Sequence, residues 1–208
     1  MEPFVEMTGI GSASAAPDVV ALDVAVRSPG VSVAAALGEA DATMAGLIDA
    51  AKAQGLAAKD LQTTGANVYP QYDRDGVNVT SYLAQQSLRL RVRERASVGP
   101  LIAAFSQIAG NTLGIDNISL HIDDPKPLLE RARREAFDDA AAKARQFATL
   151  AGRSLGPVVF VVDSPSGPIM PYPMSDQREM MAAKASGPAV EMGENTVTSS
   201  VLVRWVWV

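Results

Sequence analysis

Residues 123–162 read DDPKPLLERARREAFDDAAAKARQFATLAGRSLGPVVFVV, and the rest of the chain is organised around this stretch. Asp124 can accept from free backbone N–H groups, Pro125 suits a first helical turn, and Gly152 suits a left-handed helix end. Between them, apolar residues recur at steps of three or four, which predicts one face of a long helix: Leu129, Ala132, Ala136, Ala140, Ala144, Phe147 and Ala151. Because alanine is small, this face predicts close packing of the helix on a β-layer.

The opposite face of this predicted helix is charged, and we expect solvent to cover it. It carries Arg131, Arg134, Glu135, Asp138, Asp139, Lys143 and Arg145. The apolar segment PVVFVV at residues 157–162 follows the helix and predicts a strand.

The composition is that of an ordinary globular chain, with 208 residues, 48% hydrophobic and 20% charged. The net charge of −5 argues against a general nucleic-acid binder, which needs a basic face. The lack of cysteine excludes disulfides and thiolate sites, and it is compatible with an oxidising compartment. The start, MEPFVEMTG, has neither the basic nor the apolar region of a signal peptide, so we expect a leader to have been removed.

Alternation and turn residues predict the remaining elements. We expect strands over residues 4–13, 20–26, 61–72, 79–93, 115–123, 158–162 and 196–208. Helices are expected from Ser32 to Gly55 and from Ser97 to Gly110, with capping serines at their starts. In the first strand, Gly9 and Gly11 permit a bulge or a close backbone contact.

A weak internal echo suggests how these elements combine. Residues 47–51 (LIDAA) resemble residues 101–105 (LIAAF), and each is followed by a glycine and a strand. The echo predicts two βαβ-like halves, joined by a hairpin at Asp75-Gly76 and sharing one mainly antiparallel sheet with helices on one face. The predicted fold class is therefore α+β, with one long helix in the C-terminal half. We expect residues 1–208 to form a single domain.

Residues 164–192, termed the flap, differ from the rest of the chain. Five of the 13 prolines and five of the eight methionines lie there, with little periodicity. This composition predicts a long flexible loop with room for one short helix over residues 175–185. The methionine thioethers could bind Cu(I) or undergo oxidation, but no histidine or cysteine supports a copper site, so packing is the favoured interpretation. No metal and no cofactor is predicted.

Arg89, Arg91 and Arg93 form the sharpest charge feature. The period of a strand places them on one sheet face, where planar guanidinium groups can meet phosphate or carboxylate. They are candidate binding residues for an anionic partner. The alternative is a solvated sheet face that discourages aggregation, and the acidic net charge favours this alternative.

His121 is the only histidine, and by strand parity it shares a face with Ser119 and Asp123. A histidine beside a carboxylate can support acid–base chemistry. No nucleophile motif or metal-ligand cluster accompanies it, so an exposed structural histidine is favoured. No catalytic residue is predicted.

Several short motifs, taken in order, resemble the SIMPL-domain family. They are Gly9-Ile10-Gly11 with Ala16-Pro17-Asp18, Tyr82-Leu83-Ala84, Gly114-Ile115, Asp124-Pro125, Arg131-Ala132-Arg133 with Ala136, Asp139-Ala140 and Lys143-Ala144, Leu155-Gly156, and Gly193-Glu194. The resemblance covers nearly the whole chain. It implies an α/β fold with an antiparallel sheet, export in most bacterial members and self-association in some, one of them as a large ring. One member is linked to oxidative-stress defence, and no catalytic residues are established for the family.

The sequence thus predicts an exported, non-enzymatic protein of the periplasm or cell envelope, for which the family also allows a lipid anchor. Its expected partners are further copies of itself in a homo-oligomer, another envelope protein or an anionic lipid surface. Nucleic acid is not expected. Two alternatives stay open. If the protein is a small-ligand binder that uses the flap as a lid, an apolar pocket should lie beneath the flap. If it is an enzyme, a cleft should contain His121 and a partner carboxylate.

Overall fold

The computed structural model describes residues 3–164, 170–171 and 193–208. The elements in chain order are β1 (Phe4–Ala15), β2 (Val19–Gly30), α1 (Val33–Ala53), β3 (Leu61–Tyr72), β4 (Val79–Val92), α2 (Val98–Ala109), β5 (Leu113–His121), α3 (Lys126–Leu150), β6 (Leu155–Ser164), β7 (Met170–Pro171) and β8 (Asn195–Trp207). This arrangement confirms the α+β class predicted from the sequence.

The strands form two antiparallel sheets. The predicted sheet shared by the two βαβ halves is one of them, and the other was not predicted. The first sheet has the order β1-β8-β6, with β7 also paired to β8, and the second has the order β3-β4-β2-β5. The described residues divide into two compact units in the same way. Residues 3–17, 122–164, 170–171 and 193–208 form the first unit, and residues 18–121 form the second. The expectation of a single domain stays a prediction.

The second unit contains the two predicted βαβ halves. They are β2-α1-β3 and β4-α2-β5, and the strand order interleaves them as in a split βαβ fold. Helices α1 and α2 pack with β2 and β4 around an aliphatic core, whose fully buried members include Leu22, Leu47, Leu88, Leu90, Leu101 and Phe105. The similarity between residues 47–51 and 101–105 therefore reflects two helices that hold equivalent positions in the two βαβ halves.

The predicted capping residues behave differently at the two helices of this unit. At α1, Ser32 Oγ accepts from the Ala35 N–H at 3.2 Å, as predicted. At α2, Ser97 makes no side-chain capping bond. A 3₁₀ turn over residues 95–97 leads into that helix, and there Glu94 accepts from the Ala96 N–H.

The first unit is built on α3, which packs on β1 and β8 through small side chains. Its buried residues are Leu128, Ala132, Ala136, Ala140, Ala141, Ala144 and Ala148. The alanine face is confirmed, but its ends were misplaced, since Leu128 is buried in place of Leu129 and Phe147 is about half exposed. The buried row advances almost strictly by four residues, and a pattern of threes and fours does not choose between neighbouring leucines.

Two glycines of β1 let α3 lie against the strand backbone. A Cβ built on Gly9 would lie 1.9 Å from the Ala136 carbonyl oxygen, and one on Gly11 would lie 2.2 Å from the Ala132 carbonyl oxygen. A side chain at either position is incompatible with this separation. The prediction that these glycines permit a close backbone contact is confirmed.

Candidate functional site

The arginine row lies at the end of β4, on the face opposite the helix-covered core of the second unit. Arg89 donates from Nε and Nη2 to the two carboxylate oxygens of Asp23, at 2.6 and 3.1 Å. Hydrogen bonding to Asp23, and then the charge of that carboxylate, raise the pKa of Arg89. Arg93 donates from Nη1 to the buried Asp60 at 2.7 Å. The guanidinium groups of Arg89 and Arg93 are therefore held in ion pairs, and anion binding by the row stays a prediction.

A further ion pair lies between β2 and β5 of the same sheet. Arg27 Nη2 contacts Asp116 Oδ1 at 2.6 Å. Residue 114 is a glycine, and the Arg27 guanidinium occupies the space that a side chain there would fill. Positive charges along this unit thus lie beside carboxylates, which lowers the net field that an anionic partner would meet.

His121 ends β5 and is exposed. Its Nε2 lies 2.8 Å from Ser119 Oγ, and Asn117 Nδ2 donates to the same hydroxyl at 3.4 Å. A serine–histidine contact between alternate residues of an exposed strand supplies neither an oriented base nor an oxyanion site. Within the described ranges, no three His, Asp or Glu side chains are placed to hold a metal ion. The Ser119–His121 hydrogen bond therefore does not by itself make an enzymatic site, and such a site around His121 stays an alternative.

The outer edge of β1 is termed the covered edge, because side chains of α3 bind its backbone. Asp139 accepts from the Ile10 N–H at 2.9 Å, Glu135 accepts from the Ser12 N–H at 3.3 Å, and Lys143 donates to the Thr8 carbonyl at 3.2 Å. These three α3 residues take the place of a neighbouring strand. The charged face was expected to be solvated, and Glu135 is exposed while Asp139 and Lys143 are half-exposed. Their bonds to β1 were not predicted, and they form because the Gly9 and Gly11 contacts bring α3 within reach of the strand.

Asp139 is the central group of the covered edge. It accepts from Lys143 Nζ at 2.7 Å as well as from the Ile10 N–H. The bond from Lys143, followed by the bond from Ile10, lowers the pKa of Asp139 below its ordinary value of 3.8. The carboxylate therefore stays charged at neutral pH and keeps both bonds.

The outer edge of β6 is termed the open edge. β6 pairs with β8 along one side, and among the described residues no strand pairs with its other side. Residues 155–162 carry no charge, and the side chains of Val159, Phe160 and Val161 are 54%, 45% and 51% exposed. An uncharged apolar strand at a sheet edge is a ready template for pairing with another strand.

The two halves of β6 differ in regularity. The register with β8 shifts between Leu155 and Val158 and again between Val158 and Phe160, whereas Phe160 to Ser164 pair in regular order. Pro157 lies in the irregular half and has no N–H to donate. The regular half is therefore the part of the open edge that suits a new strand.

The charges next to the open edge are already neutralised. Asp163 contacts Arg133 of α3 at 2.9 Å. Arg204 on β8 contacts Glu6 at 2.7 Å, and its guanidinium carbon lies 4.5 Å from the ring centre of Phe4 and 5.3 Å from that of Phe160. Asp163 and Arg204 thus each have a partner of opposite charge within the first unit.

The sequence pattern predicts β6 as a strand but does not indicate that it forms an exposed sheet edge. The available signal was the run of eight uncharged residues, 155–162, directly after a charged helix. What the pattern lacked was the pairing partner, because only the strand order places β6 at an edge.

The expectations for the flap fall mainly outside the described residues. Residues 165–169 and 172–192 are not described, so the lid, the short helix and the methionine surface stay predictions. Among the helices of the described ranges, none combines the length and the apolar composition that crossing a bilayer requires.

Comparisons with known proteins give consistent matches. The family model described as SIMPL, a protein of unknown function (DUF541), matches residues 5–205. The 26 kDa periplasmic immunogenic protein of Brucella melitensis biotype 1 is 32% identical over 209 residues, covering 96% of this chain and 82% of that protein. The protein of the same name from Brucella abortus strain S19 matches with the same identity and coverage. The uncharacterized protein YggE of Escherichia coli K12 is 27% identical over 161 residues, which cover 76% of this chain and 65% of YggE.

Proposed function

The chain belongs to the SIMPL family, as its motifs indicated, and from this premise we propose that it is an extracytoplasmic protein that acts by association rather than by catalysis. The associating partner is another copy of the chain or another component of the cell envelope. The observation that carries the proposal is the open edge, where Val158–Val162 present exposed apolar side chains and where no strand of the described residues pairs with the outer side of β6. The periplasmic name of the Brucella relatives supports the location.

The energetics of the open edge favour association. Fully burying a valine or phenylalanine side chain contributes about 1.5–3 kcal/mol, and the side chains at 159–161 are about half exposed. Covering them therefore contributes on the order of 1 kcal/mol each, in addition to the backbone hydrogen bonds of a new strand pair. This gain is available to a docking strand without remodelling of the first sheet.

The described chemistry gives little support to catalysis. The Ser119–His121 contact lies on an exposed strand, and the matching family is described as one of unknown function. The arginine row supplies a second, weaker association surface for anionic envelope components, since Arg89 and Arg93 already have carboxylate partners.

Two finer expectations rest on the family resemblance alone. A role in oxidative-stress defence is tested by the peroxide sensitivity of a strain lacking the gene, with the gene supplied again as the control. A lipid anchor is tested by metabolic labelling with a fatty acid. Neither depends on the open edge.

Light scattering coupled to size exclusion, over a dilution series, tests self-association. We expect a mass that is a multiple of 21.8 kDa and that falls on dilution. A mass of 21.8 kDa at every concentration would contradict self-assembly and leave only binding to a different partner.

A further inference from the structure

We infer that the open edge pairs with the open edge of a second copy, with the two β6 strands antiparallel about a twofold axis. This inference rests on the proposed function and names both the partner and the surface. The three full strands of each first sheet would then join into one sheet of six, in the order β1-β8-β6-β6-β8-β1.

The two edges of the first sheet are chemically unlike, and this selects the symmetry. At the covered edge, Glu135, Asp139 and Lys143 already bind the backbone of β1. A strand docking there would have to displace charge-assisted hydrogen bonds and a helix packed on Gly9 and Gly11. Pairing of β6 with β1 of the next copy, which would propagate into a ring or an open fibre, is therefore disfavoured. Pairing of β6 with β6 remains, and such an isologous contact closes at two copies.

The side chains of the regular half suit pairing with themselves. An antiparallel pair centred on Val161 or Val162 places a valine opposite its own copy at the axis. Asp163 then lies opposite a valine, at 159 or 161, and never opposite the second Asp163. Like charges opposite each other destabilise a sheet, and this arrangement avoids them while Asp163 keeps its Arg133 contact.

The irregular half of β6 limits the length of the contact. Pro157 and the register shifts before Phe160 interrupt regular pairing. The contact therefore excludes residues 155–157. It spans residues 158–164 with Val161 on the axis and residues 160–164 with Val162 on the axis, both ordinary strand lengths, and the inferred dimer should dissociate on dilution.

A cysteine scan tests the inference, because the wild-type chain has no cysteine and each variant has a single thiol. The variants are Phe160→Cys, Val161→Cys and Val162→Cys, with Ile10→Cys on the covered edge as the matched control, since Ile10 is 62% exposed. Directly opposed residues in an antiparallel pair are about 4.5–5.5 Å apart at Cα, within disulfide range. We expect disulfide-linked dimer to peak at 161 or 162 under mild oxidation, several-fold above the neighbouring position and above Ile10→Cys.

A charge variant gives a second readout. Val161→Lys places an ammonium group at the inferred axis and should raise the concentration for half-dissociation at least tenfold in light scattering, whereas Ile10→Lys should leave it unchanged. Circular dichroism checks the fold of both, and the cysteine pattern decides alone if Val161→Lys does not fold. If the wild type associates while all three β6 cysteines crosslink no more than Ile10→Cys, this inference is overturned and self-association stands on another surface. A wild type that is monomeric at every concentration, without crosslinks, overturns self-association itself.

Discussion

Replacing Gly9 by alanine should separate α3 from β1. The added Cβ would lie 1.9 Å from the Ala136 carbonyl oxygen, 2.5 Å from the Ala140 nitrogen and 2.8 Å from the Ala140 Cβ. Ordinary contact begins near 3.4 Å, so the helix backbone must move by about 1.5 Å, which is 3.4 minus 1.9. Two of the three close atoms belong to the backbone of a helix, which cannot turn aside as a side chain can.

The expected cost follows from overpacking. Inserting a methyl group into a packed contact costs about 1–3 kcal/mol, and a required backbone shift places Gly9→Ala near the upper end. The loss of unfolded-chain entropy offsets roughly 0.4–1 kcal/mol of this. A net loss of about 2 kcal/mol lowers the melting midpoint by roughly 4–8 °C in a chain of this size.

Tryptophan fluorescence during urea unfolding measures the effect in the right unit, because both tryptophans, Trp205 and Trp207, lie on β8. Gly193→Ala is the matched control, since its Cβ would meet nothing within 4 Å in the same unit. Gly11→Ala should destabilise as Gly9→Ala does. Equal unfolding midpoints for Gly9→Ala and Gly193→Ala would refute the close backbone contact.

Further predictions concern charged groups. Because the pKa of Asp139 is lowered in the folded state, the charged carboxylate stabilises the fold above its unfolded pKa of 3.8, and this contribution is lost as pH falls through the folded pKa. Asp139→Asn should therefore flatten the decline in unfolding free energy below about pH 4, measured by tryptophan fluorescence. Parallel pH profiles for variant and wild type would count against the bonds of the covered edge. Arg93→Gln removes the cation beside buried Asp60 and should lower the free energy of unfolding by about 1–3 kcal/mol, measured by circular dichroism. Arg89→Gln breaks a half-exposed ion pair and should lower it by under about 1 kcal/mol. Equal losses would contradict the argument from burial. Replacing Arg89 and Arg91 together by glutamine should weaken binding to anionic phospholipid vesicles at low salt, and unchanged binding would leave the row as a solvated face.

Local patterns were enough to predict most of the elements. A helix or strand leaves its own period in its sequence, as in the alanine stripe of α3 and the alternation of Leu88 and Leu90. The similarity between residues 47–51 and 101–105 also lies within two short segments. The two glycines of β1 also allowed a correct prediction, because glycine within a strand often marks a place where another backbone approaches closely.

The division into two sheets could not be predicted in the same way. β1 pairs with β8 in a register that joins Ser14 to Thr196, and no local period records a partner so distant in the chain. The site depended on that pairing, because β6 is an edge strand only when β8 lies between it and β1. The roles of Asp139 and Lys143 were hidden for a related reason, since a charged helix face looks solvated until a strand backbone is placed beside it.

Amide hydrogen exchange at two protein concentrations gives the sharpest test of association through the open edge. Samples are compared below and above the concentration at which light scattering detects association. We predict that exchange of the amides in residues 158–164 slows in the associated sample, while exchange in residues 8–12 of the covered edge is unchanged, because α3 already protects them. Equal exchange of residues 158–164 in monomeric and associated samples would contradict the account.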